Sequence, residues 1–276
     1  MFDVATLWGQ ISLAIALALT GALGGFIGGL LGVGGGIVIV PVLSNALIPF
    51  GLSDDVRLHL TIGTSLSTII LTSLSSARAH WKRGNIDRDL LRSWGPSVLV
   101  GAVVGGGVAA IISGSGLALV FGVIALVVAA YLALMPEGSR LQDALPKTPL
   151  KEAIAGLIGI FSVLMGIGGG TLSVPVLSLF GYPIRRAVGT ASAIGLIIAV
   201  PGTIGFLLSG LNASGLPPYS LGYVSLPGLI LIAPLSMLLA PHGARIASTI
   251  RPGLLRRIFA LFLVASATKM LLTALG

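Results

Sequence analysis

The sequence predicts an all-α, polytopic integral membrane protein built as two inverted repeats, with about eight full spans plus short half-helices that break or re-enter at glycine-rich motifs. Three observations carry this. Of 276 residues, 55% are hydrophobic and 9% charged, at a mean hydropathy of +1.07, too little charged surface for a soluble globule of this size. Residues 30–44 (LLGVGGGIVIVPVLS) recur at 164–178 (LMGIGGGTLSVPVLS) with ten identities after a shift of 134 positions. Basic and uncharged loops then alternate between the two halves, as expected when the halves face opposite ways.

The first half, residues 1–135, opens with an apolar helix over 7–31. Gly21, Gly25 and Gly29 fall at four-residue spacing there, a stripe that lets a second helix approach closely. No basic residue precedes this run and Asp3 stands ahead of it, so a retained span is expected and not a cleaved leader. After the glycine cluster Gly32 to Gly36, residues 37–49 make only about 20 Å of helix, short of about 30 Å of hydrocarbon. Half of a broken hairpin fits that length. A polar turn with Asp54, Asp55 and Arg57 follows, then a span over 58–77 containing Gly63-Thr64-Ser65. Residues 78–92 form the most basic loop, and 93–112 and 117–135 are spans joined by the Ser113 to Gly116 turn.

Residues 136–149 read as a linker, and residues 150–276 repeat the plan. A span over 150–166 leads to the second cluster, Gly166 to Gly170, and a short piece over 171–180. A turn with Arg185 and Arg186 precedes a span over 187–210, in which Gly189-Thr190-Ala191 matches Gly63-Thr64-Ser65 at a shift of 126. An uncharged loop at 211–220, a span over 221–241, a basic loop and a last span complete the chain.

Five segments per half is an odd number, so the halves must be inverted. The basic loop at 78–92 and the linker belong in the cytoplasm and the uncharged loop at 211–220 outside, which puts both termini outside. A net charge of +8 is spread over such loops, as a topology signal on a cell-membrane protein and not as a nucleic-acid surface.

The paired glycine clusters are the candidate site. Where a helix breaks inside a membrane, the next half-helix presents free N–H groups and the positive end of its dipole, and glycine lets an anion approach. Gly34, Gly35, Gly36, Gly168, Gly169 and Gly170 are the candidate substrate contacts, with hydroxyl donors on Thr64, Ser65, Thr190 and Ser192. Packing alone is the alternative, and the stripes at Gly21 and at Gly101 and Gly105 read that way; three glycines in a row exceed what packing needs. Pro41 and Pro175 recur inside the short helices, where a missing N–H loosens them. The hydroxyls could instead bond back to their own helices.

All eight carboxylates fall in loops or at helix ends, which leaves no acid-based proton relay and nothing to hold a cation at the midplane. An anionic cargo fits. His59, His80 and His242 read as solvated interfacial residues. Zero cysteines, no metal-ligand cluster, no complete dinucleotide fingerprint and no catalytic triad pattern point away from an enzyme, a metal or any cofactor. Partners are then the lipid bilayer and a small anion, with glycine stripes that leave room for a homodimer.

The GVGGG…VPVLS and GIGGG…VPVLS pair, each followed by a Gly-Thr span, and Arg83-Gly84-Asn85-Ile86-Asp87 after the basic stretch resemble the sulfite exporter TauE/SafE family of membrane permeases. That resemblance implies a cytoplasmic-membrane exporter of small sulfur-containing oxyanions such as sulfite or organosulfonates. It implies roles for Gly34 to Gly36, Gly168 to Gly170, Thr64, Ser65 and Thr190, with Ala191 standing where the first copy has serine. A secondary transporter working by alternating access is the expectation. A passive anion channel and a ligand-binding membrane subunit that does not transport stay open beside it.

Overall fold

The computed structural model describes residues 6–31, 35–134, 141–142, 144–247, 250 and 252–275. The first half contributes α1 (Leu7–Leu31), α2 (Gly36–Ala46), a short 3-10 turn (Ile48–Phe50), α3 (Asp54–Lys82), α4 (Arg88–Ala109) and α5 (Gly114–Leu134). The second contributes α6 (Leu150–Met165), α7 (Gly169–Leu179), α8 (Ile184–Ser209), α9 (Leu226–Ala247) and α10 (Pro252–Leu275). A small antiparallel ribbon, β1 (Ser220–Leu221) and β2 (Val224–Ser225), leads into α9. Hydropathy runs unbroken through that ribbon, which is why the span at 221–241 is expected to begin earlier than it does.

Among the described residues six helices, α1, α3, α5, α8, α9 and α10, are long and apolar enough to cross a membrane. Two more expected spans fall short for visible reasons. The first turns of α4 carry Arg88, Asp89 and Arg92, and α6 stops after 16 residues where Gly166 turns left-handed at φ 66°. The basic stretch at 78–92 is mostly helix end, with only 83–87 between α3 and α4. Charge follows the helix dipole in α3: Ser53 caps its start by accepting the Val56 N–H, Asp54 and Asp55 sit in its first turn, and His80 and Lys82 in its last.

Glycine decides which helices touch. Along α1, side chains added at Gly21, Gly25 and Gly29 would strike the backbone of Ile232, Ser236 and Ala240 on α9. Steps of four on both helices mean that they run parallel, and Ser236 Oγ donates to Gly21 O at 3.0 Å. On α4, Gly101 and Gly105 meet Gly156 and Ile160 of α6 in the same parallel sense. Helices α3 and α8 run antiparallel, with Gly63 against Phe206, Leu66 against Gly202 and Ser73 against Gly195. Gly122 of α5 lies on Leu271 and Ala267 of α10.

These pairings exchange into one another when the halves are swapped. The first helix of each half lies on the fourth of the other, and third meets third and fifth meets fifth. Between them sits a core with Ile62, Leu66, Trp94, Val98, Phe121 and Ile198 fully buried. Leu23, Val103, Val127, Ile204 and Leu261 face outward, the lipid-facing surface that a helix apolar on every side requires. One end of the bundle gathers Asp55, His59, Ala109, Gly114 and Tyr223; the other gathers Asp87, Tyr182 and Thr190. Both α1 and α10 have their terminal ends at the Asp55 end, α1 because it parallels α9 and α10 because Leu271 reaches the start of α5.

Candidate functional site: two glycine breaks in contact

At the first break, Gly34 lies outside the described residues, while Gly35 and Gly36 begin α2. The Gly35 carbonyl accepts the N–H groups of Val38 at 3.0 Å and Ile39 at 2.8 Å, and no side chain caps the helix start. At the second break, Gly166 closes α6 in the left-handed conformation. Its N–H donates to Val163 O and the Ile167 N–H to Ser162 O, the pairing that satisfies a helix C-terminus. Gly168 then extends at φ −80°, ψ 168° and opens α7, again with no side-chain cap.

The two breaks touch. A Cβ on Gly36 would lie 2.7 Å from Gly166 O and 2.9 Å from Ile167 Cα. Ser65 Oγ donates to Gly166 O at 2.7 Å, tying α3 to the junction. Gly169 is packed as tightly on α8, where a Cβ would lie 2.6 Å from Ala191 O and 2.7 Å from Gly195 N, and Gly170 is half-buried. Gly35 and Gly168 are different. An added methyl meets the tip of Ile39 at 3.0 Å and Gly24 O at an ordinary 3.5 Å in one case, and Ile69 Cγ2 at 3.4 Å in the other. From this junction α2 runs toward the Asp55 end and α7 toward the Tyr182 end, so two helix N-termini face each other across it. Every residue named at either break is uncharged.

Thr64 and Thr190 lie elsewhere. Thr64 Oγ1 accepts the Ser225 N–H at 2.9 Å, and Thr190 Oγ1 accepts the Asp87 N–H at 2.9 Å. Gly63 and Gly189 beside them press on Tyr223 O and Asn85 O. Ser225 and Asp87 are themselves the caps of the fourth helices, Ser225 Oγ accepting from Gly228 N and Asp87 Oδ1 from Leu90 N. Each Gly-Thr pair therefore latches the start of the other half's fourth helix, one latch at each end of the bundle. Ser192 Oγ donates back to Gly189 O at 2.6 Å. Of the four hydroxyls, only Ser65 reaches the glycine junction.

The ends carry the charge. Tyr182 donates to Asp87, whose other oxygen holds the first turn of α4, and Arg186 stands 3.7 Å away. The Leu90 N–H first, then the Tyr182 hydroxyl, hold the Asp87 carboxyl below the usual carboxylate range; burial first, then Asp87, pushes the Tyr182 phenol up. At the opposite end His59, expected as a solvated residue, is 4% exposed. Its ring nitrogens face Asp55 O at 2.8 Å and Ala109 O at 3.1 Å, and its ring centre lies 4.8 Å from that of Tyr223, tilted by 32°. Both neighbours are carbonyl acceptors, so a neutral ring, with one N–H, donates to one of them and leaves the other without that bond. Among the described residues, no group of three or more His, Cys, Asp or Glu could hold a metal ion.

The chain is 33% identical over 87% of its length to a probable membrane transporter protein of Haemophilus influenzae, covering 91% of that protein. It is 29% identical to one of Methanocaldococcus jannaschii, over 82% of this chain and 83% of that one, and 30% identical to one of Xylella fastidiosa, over 86% of each. No solved structure gives a significant match. The model of the family described as sulfite exporter TauE/SafE matches residues 17–270. That match begins inside α1, ends inside α10 and takes in both breaks, so the chain belongs to the sulfite exporter TauE/SafE family.

Proposed function

We propose that this membrane transporter is a secondary exporter of small sulfur-containing oxyanions, sulfite or organosulfonates, held between the two glycine breaks. The contact of Gly36 with Gly166 carries the reading, because it brings two uncapped helix starts together in an uncharged interior. Backbone N–H groups and two positive dipole ends then supply what an oxyanion needs, and no carboxylate repels it. Gly35, Gly36 and Gly168 to Gly170 form the cradle, with Ser65 beside it.

The exchange of pairings between the halves supports alternating access as the mechanism. Thr64 with Ser225 and Thr190 with Asp87 are equivalent latches at opposite ends, and releasing one at a time opens the cradle to one side. The basic Asp87 end faces the cytoplasm of the cell, and both termini face outward.

Flux of labelled sulfite through proteoliposomes tests this, with sulfate, thiosulfate and taurine as competitors. Gly35→Ala and Gly168→Ala are the informative variants, since the packing admits their methyl groups. We expect saturable flux that falls by about 10- to 150-fold in each, the size of one lost hydrogen bond to a charged ligand at about 1.5–3 kcal/mol. Undiminished flux in both, with unchanged melting, sinks the cradle. Voltage-driven current faster than a conformational cycle identifies a passive channel, and no flux of any anion a ligand-binding subunit.

A further inference from the structure

We propose that a groove between α3 and α9 holds an anionic phospholipid, its phosphate on Arg78, Lys82 and Arg83 and an acyl chain along Leu71, Leu74 and Met237. A cavity of 560 Å³ lies there, lined by those six residues together with Ser75 and Ala79. Its lining holds no carboxylate, and among the described residues none of the three cations stands in an ion pair. The wall is open: Leu71 is 43% exposed and Met237 40%.

Shape selects a lipid over a free oxyanion. Leu71, Leu74, Arg78 and Lys82 follow one face of α3, and from Leu71 to Lys82 the helix rises about 17 Å. That is about half of a 30 Å hydrocarbon core, the depth of one leaflet. The charge is confined to the last two turns of α3 and the residue after them, while the deeper turn at Leu71 and Leu74 is apolar. A small anion uses only the rim, whereas a phospholipid with a negative headgroup matches both parts, and basic clusters at a span's end attract such headgroups. The inference rests on the membrane-spanning fold and is independent of the transported cargo.

Native mass spectrometry of delipidated protein, titrated with phosphatidylglycerol or phosphatidylcholine, tests it. Wild type is expected to retain phosphatidylglycerol at least about tenfold over phosphatidylcholine. The triple variant Arg78→Gln, Lys82→Gln, Arg83→Gln is expected to lose that preference, and the pair Arg92→Gln, Lys147→Gln at the same end to keep it. Leu74→Trp, which fills the groove and leaves every cation in place, is expected to lose retention too, and it decides the matter if the triple variant fails to fold. Equal retention of both lipids by wild type, or full retention by Leu74→Trp, overturns the proposal. So does displacement by free glycerol phosphate, which would assign the cations to a soluble phosphate.

Discussion

Thr64 and Thr190 each take a backbone N–H from a residue far along the chain, which makes their removal a test of the latches. Thr64→Val keeps the shape and strands the Ser225 N–H, and Thr190→Val does the same to Asp87; each is expected to cost about 1–3 kcal/mol in chemical unfolding. Ser65→Ala should cost less, about 1 kcal/mol, because the Gly166 carbonyl is an acceptor with freedom to adjust. Asp87 adds a pH dependence. Its folded value lies below the unfolded value of about 3.9, so the stability it gives is complete above that value and lost as pH falls through the folded one. Melting followed from pH 7 to pH 3 should therefore be flat until about pH 4 and drop below it, with a smaller drop in Asp87→Asn. The latch partners were not legible in the sequence. The repeat aligns Gly63-Thr64 with Gly189-Thr190, but a hydroxyl's acceptor role toward residues 161 and 103 positions away has no local signature. The burial of His59 has no local signature either: it depends on segments far along the chain, Ala109 and, from the other half, Tyr223.

Among the elements, the broken helices and the close-packing stripes were legible, because glycine spacing states both directly. Gly166 ends α6 and the three glycines that follow Ile167 begin α7, while glycine every fourth residue marks a seam. The stripe at Gly21, Gly25 and Gly29 is filled by α9 of the same chain, so it gives no support of its own to a homodimer. Gly25→Leu should drive α1 off α9, since even a Cβ there meets the Ser236 backbone; the expected outcome is loss of folded, monodisperse protein on size exclusion. Gly107→Leu, where nothing lies within 4 Å of the added Cβ, should leave the elution unchanged. Span ends were less legible. Hydropathy cannot distinguish a two-strand ribbon from the first turn of α9, and charged residues at 78–92 extend helices they were expected to end.

For the whole molecule, the absence of cysteine makes the topology directly testable. Single cysteines at Ser115 and Ala213 should be labelled by an impermeant reagent from one side of intact cells, and one at Gly84 only after permeabilisation. The reverse pattern would turn the molecule over. The pairing of halves also bears on how the chain is made. Gly21 of α1 finds its partner Ile232 of α9 211 residues later, whereas Gly101 of α4 finds Gly156 of α6 after 55. At about 5–20 residues per second of synthesis, α1 waits about 10–40 s in the bilayer with its glycine seam unmatched. A ribosome that stops after α8 thus leaves a helix whose glycine seam has no partner to cover it.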